Sequence, residues 1–137
     1  MGVTAEMRQA GRVEEAERRA QIKRYLDYSG VDPDISHEIY HDDAVLEFPQ
    51  SGERFEGVDN FREWRRQYPA VVRFELRDLR GAEDLWIAEV SVSYDDAPPQ
   101  FGVSILEFRG DKVARETIYG APPWDAPEWR AQWRAAP

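Results

Sequence analysis

Across residues 5–29, apolar or small positions recur at Val13, Ala16, Ala20, Ile22, Tyr25, Leu26 and Ser29. This is an interrupted stripe at helical spacing with acidic and basic residues on the other faces, so it predicts a long amphipathic helix stopped by Gly30. Asp32-Pro33-Asp34 follows as a helix start with proline pre-set for the first turn, which predicts a short helix over 33–40. Residues 43–48 alternate as a strand and close on the turn residues Pro49-Gln50-Ser51-Gly52. A third helix is expected over 58–68, with Phe61, Trp64 and Tyr68 on one stripe.

After Pro69 the period changes from helical to extended. Four strands are expected at 71–79, 84–94, 99–109 and 112–119, joined through Gly81-Ala82, Asp95 to Pro98 and Gly110-Asp111 as an antiparallel meander. The arm 121–137 carries Asp125-Ala126-Pro127-Glu128, the D-x-x-E form of a capping box, ahead of Trp129 and Trp133 four residues apart. With Trp124 these aromatics are expected to dock the tail, the alternative being a lid over the mouth of a pocket. Helices followed by a long meander make an α+β order in which one curved antiparallel sheet wraps the N-terminal helices, leaving an open mouth. Trp86, Ala88, Val90, Val103 and Ile105 are assigned to one sheet face, and Ile87 and Leu106 to the other. An antiparallel sheet with one solvated face alternates more cleanly, so the outer face is expected to meet a second copy in a homodimer.

At 137 residues the chain reads as one domain, 1–137, burying roughly two-thirds of its unfolded surface. A net charge of -9 opposes binding to nucleic-acid phosphates or anionic membranes. No run of about 18 apolar residues is present to span a bilayer, and no apolar leader core is seen, so a cytoplasmic protein is expected. Without cysteine there is no disulfide, thiolate nucleophile or iron-sulfur cluster, and the imidazoles are His37 and His41. Those two lie in His37-Glu38-Ile39-Tyr40-His41, an H-E-x-x-H pattern that on a regular helix would bind zinc for a peptidase. A predicted helix this short, with its second histidine at the exit and no third histidine in the chain, opposes that reading. It is kept as a remote alternative.

Tyr40-x-Asp42-Asp43-Ala44, the strand ending Glu47-Phe48-Pro49, and Gly57 before the Phe61/Trp64 helix form an ordered set. It continues with Ile105-Leu106-Glu107-Phe108-Arg109-Gly110-Asp111-Lys112-Val113, Tyr119-Gly120, and the tail Trp124-Asp125-Ala126-Pro127-Glu128-Trp129-Arg130. This set resembles the nuclear transport factor 2-like superfamily, in particular its SnoaL-like (polyketide cyclase-like) and ketosteroid-isomerase-like branches. The resemblance implies a cone-shaped α+β barrel, a fold that hosts isomerases, cyclases, dehydratases, epoxide hydrolases and non-catalytic binders. In the isomerase-like pattern an aspartate before the proline moves a proton; here Phe48 stands there and cannot. The oxyanion-donating tyrosine of that pattern is matched by Tyr25, and its protonated aspartate by Ser104.

Hairpin register supplies a separate expectation. A two-residue turn at Gly110-Asp111 sets Phe108 against Val113, and with uniform pairing Leu106, Ser104 and Gly102 against Arg115, Thr117 and Tyr119. A turn centred on Asp96-Ala97 sets Glu89 against Ser104 and Ile87 against Leu106. Glu89, Ser104 and Thr117 then share one row, and on the resemblance this face lines a pocket together with Tyr25, Phe48, Trp64 and Tyr119. Glu89, desolvated in an apolar cone, is the expected proton-transfer group, with Tyr25 and Ser104 steadying an oxyanion. The alternative is a buried strut in which Arg115, Arg73 or Arg77 pairs with Glu89. Ile87, Leu106, Arg115 and Thr117 complete the expected lining. The expected function is acid-base chemistry on a small organic molecule (isomerisation, cyclisation, dehydration or hydrolysis), with no organic cofactor or metal implied. The alternative is a non-catalytic ligand-binding or protein-interaction module on the same fold.

Overall fold

A computed structural model describes the backbone of residues 5–136 and the side chains of that span except 6–13, so the place of Val13 in the helical stripe lies outside the described residues. The first helix, α1 (Ala5–Tyr28), lays Ile22, Tyr25 and Leu26 into the core. It stops at Gly30, whose φ of +79° suits glycine, and a Cβ there would meet the carbonyl oxygen of Val72 at 2.1 Å. Asp32 caps α2 (Pro33–Ser36) by accepting from the backbone N–H groups of Asp34 and Ile35. The expected helix over 33–40 is shorter than its pattern: it tightens to a 3-10 turn at His37–Ile39, and the chain is already extended at Tyr40.

β1 (Tyr40–Phe48) and β2 (Glu53–Glu56) form a hairpin, of which the second strand was not anticipated. α3 (Val58–Arg66) lays Val58 and Phe61 on the core. The meander follows as β3 (Val72–Ala82), β4 (Leu85–Tyr94), β5 (Gln100–Arg109) and β6 (Lys112–Ala121). All six strands join one curved, open sheet in the order β2-β1-β6-β5-β4-β3. It is mixed rather than wholly antiparallel, because β1 runs parallel to β6 and covers the edge that the meander would leave unpaired. The concave face packs Leu46, Trp86, Ala88, Leu106 and Val113 against Ile22, Leu26, Ile39 and Phe61.

Two local features set the register and correct the sequence reading. The β4–β5 loop turns with Asp95 at a φ of +49°, and Ala88 rather than Glu89 opposes Ser104. In β6 a bulge at Ala114 lets Phe108 face Val113 while Glu107 faces Arg115, so Leu106 faces Glu116 and Ser104 faces Ile118. The face assignment changes accordingly: Leu106 points inward beside Trp86, while Val103 and Ile105 lie outward beside Ile87. The tail forms a 3-10 turn over Glu128–Trp133 that starts at Pro127 without a side-chain cap, so the expected capping box is not made. Nor does the tail dock: Trp124, Trp129 and Trp133 are 77%, 72% and 71% exposed. Among the described residues no helix is long and apolar enough to cross a membrane.

Candidate functional site

The open end of the sheet encloses a cavity of about 750 Å³. Its walls are apolar: Leu26 from α1, Phe74 from β3, Val90 and Val92 from β4, Ile118 from β6, and the edge-on and tilted group of Phe48, Phe55 and Trp64 with ring centroids 5.2–6.0 Å apart. One end is polar. Glu116 of β6, 0% exposed, accepts hydrogen bonds from the Tyr25 hydroxyl at 2.9 and 3.0 Å, from Ser104 Oγ at 2.5 Å, and from the Tyr40 hydroxyl. Four elements converge on this one carboxylate, since Tyr25 comes from α1, Tyr40 from the start of β1, Ser104 from β5, and Arg65 from α3. Arg65 Nη2 lies 3.9 Å from Glu116, while its Nη1 donates to the Tyr40 hydroxyl at 3.0 Å. Three hydroxyl donors and a guanidinium are what a carboxylate needs to tolerate removal from water.

The electrostatics follow from burial. Desolvation raises the phenol pKa of Tyr25, and the neighbouring Glu116 charge raises it further against the opposing pull of Arg65. Tyr40 is raised well above its ordinary value, again chiefly by desolvation. Both phenols therefore stay protonated donors. Burial pulls the Arg65 pKa down, but the Tyr40 and Tyr25 oxygens and Glu116 outweigh it and hold the pKa above the ordinary arginine value. His37, buried behind Arg65, is lowered from 6.5 to about 4, first by desolvation and then by the Arg65 charge.

Of the residues expected at the site, the structure places Tyr25, Ser104, Phe48, Trp64 and Tyr119 in the cavity lining, Tyr119 at its exposed end. Glu89 is not there. It sits on the outer face, 42% exposed on its side chain and paired with Arg80 at 2.8 Å, because the β4–β5 loop moves it one position out of the Ser104 row. That arginine is none of the three expected partners. Ile87 and Thr117 share the outer face. Arg115 bonds Glu47 there at 2.8 Å. Leu106 is inward but fully buried in the core rather than in the cavity wall.

Glu116, Arg65, His37 and the Tyr40 hydroxyl were missed as site groups. Uniform pairing beyond the hairpin turned Glu116 outward, and only the bulge brings it in. The sequence carried no direct signal of this: that Val113 and Glu116 are inward residues three apart, which regular alternation cannot produce, is seen only in the structure.

The zinc pattern dissolves into two unrelated settings. His37 lies on the 3-10 turn and binds Pro33 and Arg65, whereas His41 lies on β1 and donates Nε2–H to the Arg109 carbonyl at 2.5 Å. Among the described residues no group of three acidic or imidazole side chains is placed to hold a metal ion.

A family model for the SnoaL-like domain matches residues 22–116, a span that runs from α1 to the buried glutamate itself. The chain belongs to the SnoaL-like family. Among solved structures, this SnoaL-like chain is 41% identical to an NTF-2 like protein of unknown function from Burkholderia xenovorans, with a TM-score of 0.82 over 89% of this chain and 96% of that one. A candidate ketosteroid isomerase from Kribbella flavida is 22% identical, with a TM-score of 0.77 over 86% and 87%. An epoxide hydrolase of the LEH-like type from M. tuberculosis is 13% identical, with a TM-score of 0.64 over 74% and 80%. The last two likenesses show the fold alone. No curated protein matches the chain. The expected cone-shaped α+β fold is thus the fold observed, as an open, curved, mixed sheet.

Proposed function

We propose that this SnoaL-like protein binds a small, largely apolar organic molecule in the cavity, in the cytoplasm, and carries out proton transfer on it with Glu116 as the acid-base group. The observation that carries this reading is a carboxylate with no solvent exposure set at the polar end of an apolar cavity of ligand size. Ser104 is the natural relay. Its hydroxyl can accept a proton from the ligand while passing its own to Glu116, and the reverse transfer returns a proton at another ligand atom. Arg65, whose Nη2 and Nε protons no acceptor among the described residues takes, would stabilise negative charge that develops on a ligand oxygen meanwhile, whereas the Tyr25 hydroxyl proton is already given to Glu116. The structural neighbours named for isomerase and epoxide hydrolase activity support the class of chemistry as fold analogy and no further.

A second reading, a non-catalytic binder in the same cavity, is favoured by Phe48 in the position of the isomerase aspartate and by the full set of donors that the protein already gives Glu116. The experiment is to identify what co-purifies with the chain by mass spectrometry of denatured protein, then to assay conversion by wild type and Glu116→Gln. Proton transfer predicts that the variant binds within about threefold of wild type but loses roughly 10² to 10⁴-fold in turnover. A ligand that wild type binds tightly and never converts refutes catalysis and leaves the binder.

The outer sheet face is read as the homodimer surface. Ile87, Val103 and Ile105 are half-buried there, and Leu85 and Phe101 are about half exposed.

A further inference from the structure

His37 Nδ1 lies 2.6 Å from the Pro33 carbonyl oxygen, which can only accept, and 3.0 Å from Ser36 Oγ, whose own proton goes to the same carbonyl at 3.3 Å. The proton is therefore on Nδ1 and Nε2 is bare. Arginine can only donate, so the 3.1 Å contact between Arg65 Nη1 and His37 Nε2 is a hydrogen bond from the guanidinium to the ring. The second Nη1 proton goes to the Tyr40 hydroxyl at 3.0 Å. Nη1 is then saturated. The other three of the five guanidinium N–H groups, on Nη2 and Nε, have no hydrogen-bond acceptor among the described residues, the Glu116 carboxylate lying 3.9 Å from Nη2. The side chain is only 20% exposed and it lines the cavity. Its neighbours on α3 are otherwise engaged, Arg66 with Asp34 at 2.5 Å and Arg62 with Asp59, so Arg65 alone of the three arginines of α3 reaches this site.

We propose that His37 is a positioning residue, tethering Arg65 by one terminal nitrogen so that its remaining N–H groups select a cavity ligand bearing an uncharged acceptor oxygen. The selection rests on the cavity reading above; the tether does not. A poorly hydrated guanidinium with donors to spare gains most from an acceptor that the ligand supplies. An anionic ligand on Arg65 would share the polar end of the cavity with the Glu116 carboxylate, and a cationic one would meet Arg65 itself, so the neutral acceptor is favoured over either. A protonated His37 could not accept from Arg65, and neither could an apolar side chain at this position.

Two measurements on the full chain test this. The first is nitrogen NMR of histidine-labelled protein near neutral pH, where His37 is expected to carry its proton on Nδ1, with Nε2 unprotonated; a proton on Nε2 overturns the tether whatever the cavity binds. The second is titration with three naphthalenes of matched shape bearing an acetyl, an ethyl or a carboxylate group, followed by tryptophan fluorescence. Wild type is expected to bind the acetyl compound roughly tenfold to a hundredfold more tightly than the ethyl compound, and more tightly than the carboxylate. The ratio should collapse towards one in Arg65→Met and His37→Leu. It should survive in His37→Gln, whose side-chain oxygen can accept from Arg65. An undiminished ratio in a folded Arg65→Met or His37→Leu overturns the selection, as does equal wild-type affinity for acetyl and ethyl compounds. Failure of all three compounds to bind overturns the cavity reading and the selection with it.

Discussion

Acidification should destabilise this protein through His37 by an amount that can be worked out. In the native state the ring is neutral and buried, with its pKa depressed from 6.5 to about 4 by desolvation and by Arg65. The unfolded chain regains the ordinary value, so between the two values the unfolded state binds a proton that the native state refuses. Stability contributed this way is fully present above about pH 6.5, declines as pH falls towards 4, and levels off below it. A depression of about 2.5 units corresponds to about 3.5 kcal/mol at ~1.4 kcal/mol per unit, and about 2.5 kcal/mol of this should have developed by about pH 4.5. Allowing for residual solvation of the ring, about 2 kcal/mol is expected between about pH 7.5 and pH 4.5. Carboxylates titrate over part of the same range, so the informative quantity is the difference between wild type and His37→Gln, in which their contributions cancel to first order. Urea denaturation at a series of pH values measures it. The wild-type curve should fall about 2 kcal/mol further than that of the variant; parallel curves would show that His37 is not held neutral in the fold and would refute the geometry behind Arg65.

Removing the Glu116 side chain with Glu116→Ala strands three hydroxyl donors and Arg65, and it should cost about 3–5 kcal/mol in chemical denaturation; a loss under about 1 kcal/mol would mean that the cluster is solvated. Phe61→Ala, at a fully buried ring packed edge-on to Tyr40, should cost about 3–5 kcal/mol by the same measurement. Cross-strand NMR contacts in wild type should place Leu106 opposite Glu116 and Ser104 opposite Ile118 because of the bulge at Ala114; Leu106 opposite Arg115 and Ser104 opposite Thr117, the uniform pairing, would disprove the bulge. Ile105→Glu places a charge at the centre of the outer face, so sedimentation should report a dimer for wild type and a monomer for the variant; monomeric wild type would dismiss the sheet-face interface.

The elements were legible because their signals are local. Gly30 after the helical stripe, Asp32-Pro33 ahead of the short helix, and Gly110-Asp111 between alternating runs each state a backbone conformation, and the structure adopts all of them. The parallel pairing of β1 with β6 was not legible, since those strands are far apart in sequence and no turn connects them. The candidate site was half legible for a related reason. Tyr25, Phe48 and Trp64 line the cavity from elements whose facing follows from their own periodicity or turn, whereas the meander residues depend on counting pairs outward from a turn. One bulge or one loop residue reverses the face of everything beyond it. Glu89 and Thr117 were lost to that error, and Glu116 was hidden by it.

Why the chain settles on Glu116 rather than Glu89 as its inward acid is a matter of donors. Turned inward, Glu89 would leave Arg80, its 2.8 Å partner, on the opposite face and would displace Ala88, which fits the fully buried position across from Ser104. Glu116 turned outward would leave Tyr25 and Ser104 with their hydroxyls buried and without an acceptor, Tyr40 with only the Tyr25 oxygen, and Arg65 without a counter-charge. Several buried polar groups unsatisfied at about 1–3 kcal/mol each outweigh the local cost of a bulge in one strand. The bulge at Ala114 is therefore tied to the chemistry of the cavity: it is the local irregularity that lets a strand alternating correctly at Val113 present a carboxylate three residues later to donors from four other elements.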